Sequence, residues 1–199
     1  MKLKIVQAGE PVLRQMARAI DEDELRSADI QQLIQWMRET MQDAPGVGLA
    51  APQIGESLQL LAIEDRAEYL QDVSPERLAE REREPIPFQV IANPVLTVLD
   101  DTPRLFLEGC LSLTGFLALT PRHAAVRVTG LNERAEAVTI EAYGWYARIL
   151  QHEIDHLHGR LYIDRMLTRS FMPEAQYRKH WQEKSVSELC AELGLPPPA

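Results

Sequence analysis

The chain is poor in cysteine, in aromatic residues and in basic charge, and it has no long apolar run. Only Cys110 and Cys190 occur among its 199 residues, so no disulfide framework holds a domain of this size together, and two free thiols suit a reducing compartment. No segment approaches the ~18 consecutive apolar residues that a spanning helix needs, which excludes a membrane partner of that kind. Met1-Lys2-Leu3-Lys4-Ile5 leads into neither a signal-peptide core nor an Arg/Ser-rich transit segment. The expected location is the cytoplasm. With 21 Lys+Arg against 30 Asp+Glu the net charge is −9, and such a chain is repelled on average by phosphate backbones, which argues against a specific nucleic-acid partner.

What is present suffices for a core, since 45% of the residues are hydrophobic, and the length fits one domain. The expected division is a catalytic domain over 1–168 and a C-terminal extension over 169–199, packed on it or trailing from it. Pro196-Pro197-Pro198-Ala199 reads as a frayed end. Ile30, Leu33, Ile34, Met37 and Met41 recur at three- and four-residue steps and predict a helix from Ser27 to Gln42, stopped by Pro45 and Gly46. Short runs rich in aliphatic and β-branched residues at Leu58–Ile63, Phe88–Ala92, Val95–Leu99, Val126–Leu131 and Ala137–Ala142 predict antiparallel strands. The segment 64–85 alternates charges without an apolar stripe and reads as a solvated surface insertion. A second helix is expected from Gly144 to about His158, with Trp145, Ile149, His152 and His156 on one side.

The strongest chemical signal lies on that second helix, in His152-Glu153-Ile154-Asp155-His156. Histidines four apart project from one helix face and can chelate a divalent ion, while Glu153, about 100° around the helix, can reach a water without being a ligand. Glu153 is thus the expected proton carrier. A catalytic metal usually keeps three protein ligands and one open position, so a third ligand is required. Tyr162 stands where one protease pattern would put a third histidine, which removes that candidate. Glu174, 18 residues beyond His156, and Cys110, 42 residues before His152, remain as alternatives at this level.

Three strings taken together carry more information: Gly46-Val47-Gly48-Leu49-Ala50-Ala51-Pro52-Gln53, Glu108-Gly109-Cys110-Leu111-Ser112 and Gln151-His152-Glu153-Ile154-Asp155-His156. In this order they resemble the three motifs of peptide deformylases, and the likeness runs from about Pro11 to Met166. Gly144-Trp145-Tyr146-Ala147-Arg148 and Leu161-Tyr162-Ile163-Asp164-Arg165-Met166 look most like the longer subgroup that includes organellar enzymes. A bacterial cytoplasmic member is expected. Where many relatives have a proline soon after the cysteine motif, this chain reads Leu113-Thr114-Gly115-Phe116.

The resemblance implies an α+β fold in which antiparallel β-sheets surround a central metal-binding helix. It implies removal of the formyl group from N-formylmethionyl nascent peptides, with release of formate. It implies Cys110, His152 and His156 as ligands of one divalent ion, Fe²⁺ in the cell and replaceable by Zn²⁺, Ni²⁺ or Co²⁺ in purified protein. Glu153 would be the general base, the Leu111 N–H and the Gln53 amide would stabilise the oxyanion, and Gly48 would contact substrate through its backbone. It also suggests that Glu108 and Arg122 form a structural pair behind the ligand loop.

On the residues themselves, Gly48 and Gly109 permit close approach of backbone to substrate. Trp145 and Ile149 offer an apolar wall for a methionine side chain, with Arg148 at the edge to meet peptide carbonyls. Cys190 is read as structural. Arg160–Ser185 holds six basic and three acidic residues, with a helix expected around Glu174–Glu183, and a ribosome contact is the sharper reading of that stretch. The alternative enzyme reading is a zinc endopeptidase built on the same helix, with Glu174 in place of Cys110.

Overall fold

In a computed structural model, which describes residues 2–197, the first half of the chain lays helices against a twisted antiparallel sheet. Pro198 and Ala199 of the expected frayed end lie outside the described residues. Helix α1 (Glu22–Arg26) is capped by Asp21, and helix α2 (Ala28–Asp43) by Ser27, whose side chain accepts from the Ile30 N–H. The α2 stripe buries Ile30, Ile34, Met37 and Met41 against Leu49, Leu60, Ala62 and Val90, so the predicted periodicity is the packing face.

The sheet runs in chain order, β1 (Gly48–Ala50), β2 (Leu60–Asp65), β3 (Ile86–Glu108), β4 (Phe116–Leu131) and β5 (Ala137–Tyr143), all antiparallel. Two expected strands, Phe88–Ala92 and Val95–Leu99, are one. Asn93-Pro94 reads as a break, but the chain bulges there: Asn93 takes φ +50°, and its side chain bonds Ile20 through both N–H and C=O, at 2.9 and 2.7 Å. A bulge accommodates Pro94, which has no donor for the ladder. Beyond further register shifts around Asp100, the outer half of this hairpin pairs Pro103–Glu108 with Ala118–His123. Prolines and charges hid that half from the sequence reading, although it carries Glu108 and leads into the Cys110 loop.

The segment 64–85 is not merely a solvated insertion. Glu64 and Asp65 complete β2 and are buried, and Arg83 clamps Asp65 with two bonds of 2.7 and 2.9 Å. Two short helices follow β2, α3 (Ala67–Leu70) and α4 (Pro75–Glu80), with Leu70 buried. The alternating charges misled because several are neutralised inside the fold.

Helix α5 (Gly144–Leu157) crosses the sheet and buries Ala147, Leu150, Ile154 and Leu157 against Leu61, Ile63, Ile91, Val126 and Val128. It starts at Gly144, with φ +51°, where a Cβ would meet the Arg81 carbonyl at 2.6 Å and Glu82 Cβ at 2.5 Å. Residues 169–197 pack on the same body. Strand β6 (Met172–Pro173) pairs with β4 at Phe116 and Leu117, and helix α6 (Glu174–His180) is shorter than the Glu174–Glu183 expected. Helix α7 (Val186–Leu193) buries Leu189 and Cys190 against Leu119 and Met172. Among the described residues no helix is long and apolar enough to cross a membrane.

Candidate metal centre

Helix α5 presents His152 and His156 from one face, and the loop between β3 and β4 delivers Cys110 to them. The Cys110 Sγ and one nitrogen from each ring lie within 4.8 Å of one another, with Sγ 3.3 Å from His156 Nε2. Among the described residues this is the cluster able to hold an ion. Glu174 lies instead on the pocket lip, paired with Arg178. Tyr162 is buried with its ring stacked near His152, and its hydroxyl donates to the Phe116 carbonyl at 3.2 Å.

Behind the ligands sits a buried charge network. His152 Nδ1 bonds Glu108 at 3.0 Å, which turns the other ring nitrogen toward Cys110. Arg122 grips the same carboxylate through two bonds of 2.9 Å and also reaches Asp155. Arg165 holds Asp155 from the far side at 2.7 and 2.8 Å. The Glu108–Arg122 pair is therefore part of a longer chain. Burial alone would raise the Glu108 carboxyl, but Arg122, the His152 bond and Arg148 outweigh it and hold it well below the ordinary carboxylate value.

The ligand set fits a divalent ion on its own chemistry. Burial and the neighbouring His152 push His156 well below its ordinary value, leaving it a neutral imidazole, the form that ligates. Burial works against a charge on His152 too, yet its bonds to Cys110 and Glu108 raise it well above normal. The groups that hold a proton there would hold a cation for the same reason. One thiolate and two imidazoles suit borderline metals, and the set leaves room for a fourth ligand.

Glu153 is not among these ligands. It is 4% exposed, its Oε2 has no hydrogen-bond partner among the described residues, and burial pushes its carboxyl up to about 7. It packs directly on Gly48, where an added Cβ would lie 2.2 Å from Glu153 Oε1. Gln53 is fixed in orientation: its Oε1 accepts from the Ala50 N–H at 2.8 Å, so its Nε2 faces Cys110 Sγ at 3.5 Å. The Leu111 N–H has no acceptor among the described residues.

These groups line a cavity of about 460 Å³, with Leu107, Leu117, Trp145 and Ile149 as its apolar wall and Gly46–Gly48 opposite. Gly109 lines it as well, close under Leu117. One expectation needs correction. Arg148 touches the cavity, but its guanidinium is spent inside the protein on Glu108, the Thr120 carbonyl and, at 2.6 Å, the Arg104 carbonyl, so it does not wait at the edge for peptide carbonyls. Burial pulls it down to about 10. The sequence reading also missed Asp155 and Arg165 as partners; no local spacing joins them to Glu108, because strand and helix bring them together.

The sequence model of the family described as polypeptide deformylase matches residues 2–171. The chain belongs to the peptide deformylase family. It is 46% identical over 167 residues to chloroplastic peptide deformylase 1A of Solanum lycopersicum, covering 84% of this chain and 60% of that one. Peptide deformylase 3 of Streptomyces avermitilis is 42% identical over 193 residues, 97% of this chain and 84% of the relative. Among solved structures, the Met-Ala-Ser-bound class I type b peptide deformylase of Acinetobacter baumannii superposes with a TM-score of 0.74 at 30% identity, over 83% of this chain and 99% of its own. The chain is accordingly a deformylase-type hydrolase, acting on the formyl group of an N-terminal methionine at a single metal, and the endopeptidase alternative is not favoured.

Proposed function

We propose that the chain takes the formyl group from N-formylmethionyl nascent peptides with Glu153 as proton carrier, Gln53 and Leu111 as oxyanion donors, and Cys110, His152 and His156 as ligands of one Fe²⁺. The observation that carries this reading is the convergence of that ligand set on the wall where the buried Glu153 carboxylate has a free oxygen. When bound, the ion supplies Lewis-acid polarisation and makes water acidic enough to lose a proton near neutral pH. Zn²⁺, Ni²⁺ or Co²⁺ would satisfy the same donors.

Each remaining step falls to the protein. The methionine side chain enters the apolar cavity against Trp145 and Ile149, which brings the formyl carbon beside Glu153 and excludes bulk water. Gly48 and Gly109 let the peptide backbone lie close to the wall. Glu153 accepts a proton from the attacking water as the new C–O bond forms, and returns it to the amine nitrogen as the C–N bond breaks, giving formate and a free N-terminus. The Gln53 Nε2–H and Leu111 N–H donate to the oxygen that gains charge, each worth roughly 10²–10³ in rate.

The decisive experiment is formate release from formyl-Met-Ala-Ser by protein purified without oxygen, with bound metal counted in parallel. Stoichiometric iron and formate release are expected; a metal-loaded protein that releases none would refute the reading. A ribosome contact through α6 belongs to the same proposal, supported by Arg178, Lys179 and His180 in its last turn, and charge reversal at Arg178 and Lys179 should abolish cosedimentation with ribosomes. A bacterial cytoplasmic home is supported by the Streptomyces avermitilis relative, which matches 97% of this chain, with the organellar relatives as the competing reading, and cell fractionation tests it.

A further inference from the structure

The segment 64–85 reaches the reaction cavity through one residue. Trp145 forms part of the cavity wall, and the Arg81 and Arg83 guanidinium groups lie over its ring at 5.0 and 5.2 Å. Phe106 meets the same indole edge-on, with centroids 6.5 Å apart, and Arg81 also lies over Phe106 at 5.7 Å. The Trp145 backbone is held as well, because its N–H donates to the Arg81 carbonyl at 2.8 Å. Arg83 is anchored in turn by its two bonds to the fully buried Asp65. Arg81 has no carboxylate partner among the described residues, and its buried Nε has no hydrogen-bond acceptor. Two aromatic rings face that cation in place of a carboxylate, with Tyr177 and Glu80 near enough to favour its charge.

We propose that Arg81 and Arg83 are positioning residues that set selectivity for the first side chain of the substrate by fixing the Trp145 ring in the cavity wall. The inference rests on the preceding reading, that a methionine side chain occupies this cavity. A guanidinium over an indole is attractive through the ring quadrupole, more so when both are withdrawn from water, and because the buried Trp145 Nε1–H has no acceptor among the described residues, the two guanidinium groups and Phe106 are what orient the ring. A fixed wall discriminates between an unbranched and a branched side chain; a mobile wall adapts to either. His152 and His156 stand about two and three turns beyond Trp145 along α5, and His152 is held by its own bond to Glu108, with Arg148 over Phe106 at 5.3 Å as the nearest link between the two groups, so release of Trp145 should act on binding of the side chain more than on the chemical step.

The test measures kcat and KM for formyl-Met-Ala-Ser and formyl-Leu-Ala-Ser with wild-type protein, Arg81→Met and Arg81→Lys, with thermal melts to verify folding. Arg81→Met should raise KM for the methionine peptide and lower the Met-over-Leu ratio of kcat/KM roughly three- to tenfold. Arg81→Lys, which keeps the charge but not the planar group, should restore part of that ratio. If Arg81→Met does not fold, the double variant Asp65→Asn/Arg83→Met, which removes the second cation together with its buried partner, serves in its place with the same expected change. An unchanged ratio, or an equal fall in kcat for both peptides, overturns the inference while leaving the deformylase reading intact. No formate from any peptide with metal-loaded wild type would overturn both.

Discussion

Gly48→Ala tests the site through a single methyl group. The new Cβ would lie 2.2 Å from Glu153 Oε1, 2.6 Å from Cδ and 2.8 Å from Cγ. β1 cannot recede to make room, because Gly48, Leu49 and Ala50 are paired with Ile63, Ala62 and Leu61. The carboxylate must therefore turn away by about 1 Å, and a misplacement of that size at a reacting group costs roughly 10²-fold in rate. Stability should fall by about 1–3 kcal/mol, the usual penalty for overpacking, and the ligands, which Gly48 does not touch, should still hold the ion. Formate release and metal content, measured on one preparation, decide the matter. Turnover within threefold of wild type would refute the packing argument, and so would loss of metal along with activity, since that would mean the whole helix had moved.

Cys110→Ala should lose the ion, because two imidazoles alone leave the cluster a ligand short; stoichiometric metal in the purified variant would contradict the ligand set. Glu153→Gln should keep metal while cutting turnover by about 10²–10⁴-fold, read from kcat at saturating formyl-Met-Ala-Ser. Burial pushes the Glu153 carboxyl up to about 7, and a base must be ionised, so activity should fall as pH drops; a dication nearby pulls the group down, which puts the acid limb of kcat/KM at or below about pH 7. Asp155→Asn should cost about 3 kcal/mol in denaturant unfolding, since it weakens a buried ion pair. In the wild type, burial raises Asp155 but Arg165 and Arg122 outweigh it and hold it lowered. Its stabilisation is thus present above the unfolded-state value and lost on acidification, a dependence the asparagine variant should lack.

Helices α2 and α5 and the imidazole pair were legible because short spacings encode them, the α2 stripe and the histidines four apart; Cys110 came only from the resemblance, because spacing left Glu174 open beside it. The inner strands were legible from their aliphatic runs. What the sequence hid is non-local. The outer half of β3 and β4 holds short apolar runs, Leu105-Phe106-Leu107 and Phe116-Leu117-Ala118-Leu119, but Pro103, Pro121 and flanking charges break them up, and their partners lie across the hairpin. Arg148 looks like an edge residue on a helical wheel, yet Glu108 and two carbonyls from β3 and β4 draw its guanidinium inward. The run Glu80-Arg81-Glu82-Arg83-Glu84 reads as solvent-facing because nothing local discloses a buried Asp65 or an indole waiting for its arginines.

The alternation of side chains along β3 has a consequence for how the gene can change. Glu108 faces Arg122 and His152 because it stands two positions beyond the buried Phe106, on the same side of the strand. Removing one residue between Pro103 and Glu108 would swing every later side chain to the opposite side of the ribbon, sending the carboxylate outward and leaving an arginine and an imidazole stranded in the dark. Length variation in descendants of this chain should therefore be purged from that stretch.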